Sequence, residues 1–364
     1  MTMNIGLVGL PNVGKSTLFN ALTKSSNAAA ENFPFCTIDS NVGTVPIFDE
    51  RLPKIAKIVG AQKIIFESIQ FVDIAGLVKN AVEGEGLGNK FLAHIRECDA
   101  IAIVCRFFDD DNVIHVAGKI NPADDLQVIL TELLLADLQT AEKFLAKSKS
   151  GAKSGEKTAK KKAEFAEKVF KNLSDGKKIS EMEIKEEEEK ILKEIQFLTA
   201  KKIFFIANIS ESEIDNFDLE LAKKKLQIND SSEILPICAK IESEISQLPE
   251  EEIEEFLQSM GMKISGLQKL TQVGKKILKI ANFFTAGEKE ARAWNIPINA
   301  PAEIAAGKIH SDFQKNFIRA EVVSTENFLK FGGWINCREK GVIRIEGRDA
   351  IISDGDICLF RVGK

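Results

Sequence analysis

The residues Gly9-Leu10-Pro11-Asn12-Val13-Gly14-Lys15-Ser16 carry the clearest chemistry in the chain. They fit G-x-x-x-x-G-K-S, the spacing of a phosphate-binding loop. Its glycines let backbone N–H groups curl around a triphosphate, and the positive end of the next helix points at the same place. Asn12, Val13, Gly14 and Thr17 are therefore expected around the phosphates. Lys15 reads as the catalytic cation on the β- and γ-phosphates, and Ser16 as a hydroxyl ligand of Mg²⁺. Lys15 also reads as a surface-loop charge with no role in the core, so its loss should leave the fold intact.

Further along, Thr37 stands in the irregular run Asn32-Phe33-Pro34-Phe35-Cys36-Thr37, where a nucleotide switch places a second hydroxyl for the metal. The apolar stretch Ile69-Gln70-Phe71-Val72 ends in Asp73, suited to hold Mg²⁺ indirectly, and Gly76 would offer an N–H to the γ-phosphate. Many such hydrolases follow that glycine with a water-orienting glutamine; here it is Leu77, which cannot orient water. The glycine-rich run at positions 84–89 reads either as a switch that orders around a triphosphate or as a plain loop. On the residues alone, His115 is a lone histidine in a loop, a structural residue by default. A later strand ends in Asn208-Ile209-Ser210-Glu211, where guanine-specific relatives carry N-K-x-D. Ile209 and the longer Glu211 argue against strict guanine reading, and Asn208 has the donor and acceptor that adenine's N7 and N6 require. Cys238 and Ala239 begin the small-residue loop expected to add the last base contact.

The elements that position these groups follow from periodicity. Ile5-Gly6-Leu7-Val8 and Ala100–Cys105 are strand-like, the second fully apolar as a central parallel strand should be, and Thr17–Leu22 has helical spacing. The pattern is α/β. From Leu126 to about Phe197 the chain reads as long helices, lysine-dense over Lys147–Lys178 and acidic over Glu181–Glu189. This arm has two readings, a solvated hairpin or an arm whose lysines touch RNA phosphate. Beyond a helix over Leu267–Ile280, strands over Ala291–Ile298 and Ile318–Ser324 flank a helix over Ala302–Phe317, and further strands suggest a small α+β domain.

Bulk properties narrow the classes. The chain has 364 residues, 44% of them hydrophobic, enough for two or three cores, and a net charge of −5 gives no global signal for nucleic acid. No DNA specificity is evident. The six cysteines form no C-x-x-C pair, which suggests buried thiols in a reducing cytoplasm. No secretory leader is expected at the N-terminus, and no apolar run approaches the ~20 residues of a membrane span. The absence of tyrosine removes every phenolic hydroxyl from the catalytic inventory.

Taken together, G-L-P-N-V-G-K-S, N-F-P-F-C-T-I, D-I-A-G-L-V-K with G-E-G-L-G-N, N-P-A-D-D and F-F-T-A-G-E-K-E-A-R-A-W resemble the Obg-like ATPases of the YchF type across essentially the whole chain. The resemblance implies a Ras-like P-loop nucleotide domain (1–128 and 200–281), an inserted helical arm (129–199) and a C-terminal TGS domain of β-grasp fold (282–364). It implies ATP in preference to GTP, Mg²⁺, and ribosome association of a monomeric protein. It also implies that Asn12 allows K⁺ to assist, that His115 takes part in hydrolysis, and that Asn208 and Glu211 form the family's N-x-x-E. Asn80, where glycine is expected, and Ala350, where an aromatic is expected, are local departures. The competing functions are an Obg-class GTPase, a small-molecule kinase, for which no arginine-rich lid is visible, and a nucleotide sensor without turnover.

Overall fold

The computed structural model describes residues 3–30, 41–74, 87–110, 121–153 and 156–363. In chain order the strands are β1 (Met3–Val8), β2 (Val42–Pro46), β3 (Ile64–Ile65), β4 (Ser68–Asp73), β5 (Ala100–Arg106), β6 (Lys202–Asn208), β7 (Ile234–Ile237), β8 (Ile280–Ala286), β9 (Ala291–Pro297), β10 (Phe317–Ser324), β11 (Arg344–Glu346) and β12 (Asp356–Val362). The helices up to β8 are α1 (Lys15–Ala30), α2 (Arg51–Val59), α3 (Leu87–Glu97), α4 (Pro122–Ala152), α5 (Lys157–Ser174), α6 (Glu186–Ile195), α7 (Leu219–Leu226), α8 (Ala239–Ile245), α9 (Glu250–Ser259) and α10 (Gly266–Ile277).

The first sheet runs β2-β4-β1-β5-β6-β7. Its pairs are parallel except β2 against β4, which is antiparallel. Every residue of β5 is buried, as a central parallel strand covered on both faces must be. Because the strands run together, the loops after β1, β5, β6 and β7 emerge at one edge. That edge is where open α/β sheets bind ligands. On one side α10 packs so closely that a Cβ on Gly274 would lie 2.8 Å from Ile5 Cδ1 and 3.1 Å from Ile69 Cδ1. The start of α10 is fixed by Glu242, 1% exposed, whose carboxylate accepts from Gly266 N–H at 2.7 Å and Leu267 N–H at 3.1 Å.

The arm grows out of this core without a break. Asn121 caps α4, accepting from Ala123 N–H at 3.2 Å, with Pro122 in the first turn. Leu126, Ile129 and Leu133 belong to the first sheet's core, whereas Ala141 and Phe144 pack with Phe165, Val169 and Leu173 of α5 in a core of the arm's own. The return to β6 is pinned by Asp137, fully buried, which accepts from Leu198 N–H at 2.8 Å and from Thr199 N–H and Oγ1–H at 2.7 Å. The opposite charges of the arm meet: Lys161 pairs with Glu187 at 2.6 Å, Lys162 with Glu194 at 3.3 Å and Lys168 with Glu188 at 3.4 Å.

The second sheet runs β11-β10-β12-β8-β9-β3. One face carries Phe283, Trp294, Ile296, Val322 and Cys358 beneath the helix Ala302–Ile309. The other face is covered by α2, whose Leu52, Ile55 and Ala56 pack with Phe284, Ala293, Val323, Phe328 and Ile357. Sequence order places residues 51–65 within the nucleotide region, yet they pack against the C-terminal sheet, and β3 joins it beside β9. Strand β8 spans the expected start of the C-terminal unit at 282, and the helix expected to run to Ile280 ends at Ile277. The helix expected over Ala302–Phe317 is interrupted at His310, which adopts an extended backbone and accepts from Asp312 N–H to begin the short helix Ser311–Lys315, and Phe317 already belongs to β10.

Candidate nucleotide site

The phosphate loop follows β1 directly. Asn12 (φ 65) and Gly14 (φ 89) are in the left-handed region, which reverses the chain so that α1 can start at Lys15. Gly14 has a second reason to lack a side chain: a Cβ there would overlap the Asn208 carboxamide. Ser16 and Thr17 are exposed in the first turn of α1. Lys15 is not the free surface charge expected from its loop. It is 9% exposed and ion-paired with Asp73 Oδ1, the last residue of β4, which lies in register beside Leu7 of β1. Its removal would therefore leave a part-buried carboxylate unpaired.

Asn208 ties the site together. Its Nδ2–H donates to Val13 O at 2.9 Å, its Oδ1 accepts from Ala239 N–H at 3.0 Å, and it is 5% exposed. Its backbone O accepts from the N–H groups of Phe107 and Phe108, at 2.9 and 3.1 Å. One side chain and one carbonyl thus join the loops after β1, β5, β6 and β7. These bonds make Asn208 a positioning residue for the loops, and they use one of its two amide N–H donors and one of its two oxygen lone pairs.

Those loops enclose a cavity of about 440 Å³ lined by Gly14, Thr17, Phe108, Asn208, Glu211, Cys238, Ala239 and Lys240, among others. The expected residues Gly14, Thr17, Asn208, Glu211, Cys238 and Ala239 are brought together there. Glu211 Oε1 pairs with Lys240 Nζ at 2.8 Å, a bond that raises the lysine's pKa. Ile209 is 3% exposed and packs in the core, with its N–H on Ile237 O. Burial pushes the Cys238 thiol up, so it is a neutral wall of the cavity. The other described cysteines are buried free thiols too, with burial raising Cys105 to about 12 and Cys98 to about 11.

Sequence reasoning missed Arg106. It ends β5 1% exposed, donates from Nε to Phe108 O at 3.2 Å and from Nη2 to Asp110 O at 3.3 Å, and lies over the Phe108 ring at 4.5 Å. It thereby folds the β5 loop over the cavity. The only local signal was an arginine closing an otherwise apolar strand.

The donors near the loop suit Mg²⁺, which takes hard oxygen ligands and is usually held through one or two protein groups plus phosphates and water. Ser16 offers a hydroxyl and Asp73 a carboxylate beside it. Thr37, Gly76, Leu77, Asn80 and His115, and the first half of the glycine-rich run, lie outside the described residues.

Sequence comparison places this geometry in a family. The protein "Ribosome-binding ATPase YchF" of Escherichia coli O157:H7 is 46% identical over 360 residues, covering 99% of each chain. The protein of that name in Bacillus subtilis strain 168 is 44% identical over 364 residues, with 99% of each chain covered. The chain belongs to the YchF family. A solved YchF structure, the Schizosaccharomyces pombe YchF GTPase, superposes with a TM-score of 0.88 at 33% identity, covering 99% of this chain and 98% of that one. A family model described as a 50S ribosome-binding GTPase matches residues 4–149, and the C-terminal YchF-GTPase model, described as a protein of unknown function, matches residues 280–363. The P-loop fold with its helical segment and C-terminal β-rich unit is therefore a YchF fold. The names given to its members divide between ATPase and GTPase.

Proposed function

We propose that this chain is a ribosome-associated ATPase that hydrolyses ATP to ADP and phosphate and uses its nucleotide state as a switch. The single observation that carries the nucleotide assignment is the convergence of the loops after β1, β5, β6 and β7 on one cavity beside Lys15. In this reading Lys15 leaves Asp73 for the β- and γ-phosphate oxygens, and the loop N–H groups of residues 12–17 hold the remaining charge. Ser16, Thr37 and Asp73 would hold Mg²⁺, which neutralises charge on the bridging and terminal oxygens. By their place in the sequence, Gly76 would offer its N–H to the γ-phosphate and His115 would serve the attacking water, since Leu77 cannot. Asn12 is the residue through which K⁺ would assist.

Preference for ATP is supported by Ile209, which supplies no polar contact, and by Glu211, which is already held by Lys240. The names of the bacterial relatives support both the ATPase reading and the ribosome as partner. Among the described residues no helix is long and apolar enough to cross a membrane. Division into nucleotide, arm and TGS units is retained, with α2 and β3 assigned to the TGS side. The Obg-class GTPase remains the second reading, favoured by the name of the S. pombe structure. Titration of ATP and GTP under identical Mg²⁺, followed by turnover with and without ribosomes and in K⁺ against Na⁺, tests the proposal. GTP bound tenfold more tightly than ATP would overturn the ATPase assignment.

A further inference from the structure

We infer that Lys240 is a specificity-determining residue, whose ion pair competes with a guanine for the Glu211 carboxylate and so weakens the acceptor that a guanine needs. The inference rests on the nucleotide-pocket reading above. Guanine presents donors at N1 and N2, which a free carboxylate accepts, whereas adenine presents an acceptor at N1 and nothing at C2. Glu211 stands where guanine-specific relatives keep an aspartate for that purpose. In this chain its Oε1 is engaged by Lys240 Nζ at 2.8 Å, and both side chains line the cavity.

The neighbouring groups do not replace the acceptor. Ile209 is apolar and packed in the core. Asn208 is committed to Val13 O and Ala239 N–H. Asp109 and Asp110 also line the cavity, but they come from the β5 loop, whose position Arg106 fixes through Phe108 O and Asp110 O. The β6 loop itself is tied by its own hydrogen bonds. Ser210 Oγ–H donates to Glu213 Oε2 at 2.7 Å and Ile209 N–H donates to Ile237 O at 2.9 Å, which sets the backbone from which Glu211 projects. Lys240 sits on the first turn of α8, just after the backbone N–H that Asn208 fixes, so its stem starts from a set position. The ion pair therefore couples the β6 loop, which would read the base, to the β7 loop, which would close over it.

The test is the ratio of ATP to GTP affinity, measured by calorimetric titration of both nucleotides with Mg²⁺ into the full-length protein. Lys240→Ala should shift that ratio toward GTP by about two- to fivefold, the size of one ion pair largely in contact with water. Lys240→Arg should restore most of the parental ratio, and Lys240→Ala combined with Glu211→Gln should abolish the shift. An unchanged ratio in Lys240→Ala, or the same shift in the double variant, overturns the role of Lys240 while leaving the pocket assignment intact. Failure of the parent protein to bind either nucleotide overturns the pocket assignment itself and the inference with it.

Discussion

Lys15 meets Asp73 with 10% of its side chain exposed, whereas Lys161 meets Glu187 with 53% of its own exposed. The chemistry of the two pairs is the same and their surroundings are not. Around Lys15 the sheet and the start of α1 exclude water, so a partner is obligatory: either Asp73 or an arriving phosphate must supply negative charge. Around Lys161 water supplies it already, and the pair with Glu187 is exchangeable. The difference teaches what each lysine is for. A buried ammonium with one removable partner is a ligand-responsive element. A row of exposed ammonium groups opposite a row of carboxylates aligns α5 against α6 and leaves only its unpaired members for an outside phosphate.

The sharpest way to break this contrast is Lys15→Ala. Triphosphate affinity should fall by a factor of about 30 or more, since charge-assisted bonds to phosphate contribute about 2 kcal/mol or more. The variant should also unfold more easily, by about 1–3 kcal/mol, because Asp73 is left part-buried and unpaired. Nucleotide titration and denaturant unfolding measure the two effects; ATP affinity equal to the parent's would refute the phosphate-loop assignment.

An intermediate case lies between the two sheets. Arg51, at the start of α2, is held by Asp49 through Nε at 2.8 Å and Nη2 at 2.7 Å and pairs with Asp354 through Nη1 at 2.8 Å. Its side chain is 32% exposed, so Arg51→Ala should cost about 1–2 kcal/mol of unfolding free energy, less than a fully buried pair. Arg51→Lys should recover only part, since an ammonium cannot span both carboxylates in a fork. Full recovery by lysine would show that Arg51 contributes its charge and not its forked geometry.

Acid probes the same junction more gently. Burial raises the Asp354 carboxyl, but bonds from Asn282 N–H, Arg51 and Lys275 outweigh it and hold the group below its ordinary value; burial likewise raises Asp49, and Arg51 outweighs it. At these two carboxyls the folded chain therefore binds fewer protons than the unfolded one. The resulting stability is present above the unfolded carboxylate pKa of about 4 and is lost as pH falls through the lowered folded values. Unfolding measured down through that window should show a steeper loss for the parent than for Arg51→Ala. Parallel curves would remove these carboxylates from the account.

The smallest effect is expected on the arm. Lys160 is exposed and, among the described residues, forms no ion pair, while Lys161 and Lys162 are held by Glu187 and Glu194. Lys160→Glu should weaken ribosome association and lower its salt slope by about 0.7–0.9 for each phosphate no longer neutralised, with Lys161→Glu weaker still in effect. Equal weakening at both positions would mean that the α5–α6 pairs open on binding and that the contrast with Lys15 is one of degree.

What could be read without the structure was local. The glycine and lysine spacing of residues 9–16 fixed the loop, because backbone reversal and phosphate charge are properties of neighbouring residues. The aspartate ending β4, the apolar β5 and the charge blocks of the arm were legible for the same reason: period and composition act over a few turns. The tertiary structure alone decided who pairs with whom. Asn208 bonds to Val13 across 195 positions, Lys15 to Asp73 across 58, and the residues that follow Arg106 donate to Asn208 O from a distant strand. Residues 51–59 fell within the bounds expected for the nucleotide domain, and nothing in their spacing says which apolar face α2 will cover. That choice is made by shape and by Asp354, about 300 residues away, and hydrophobic burial, being non-directional, leaves no trace of it in the local sequence.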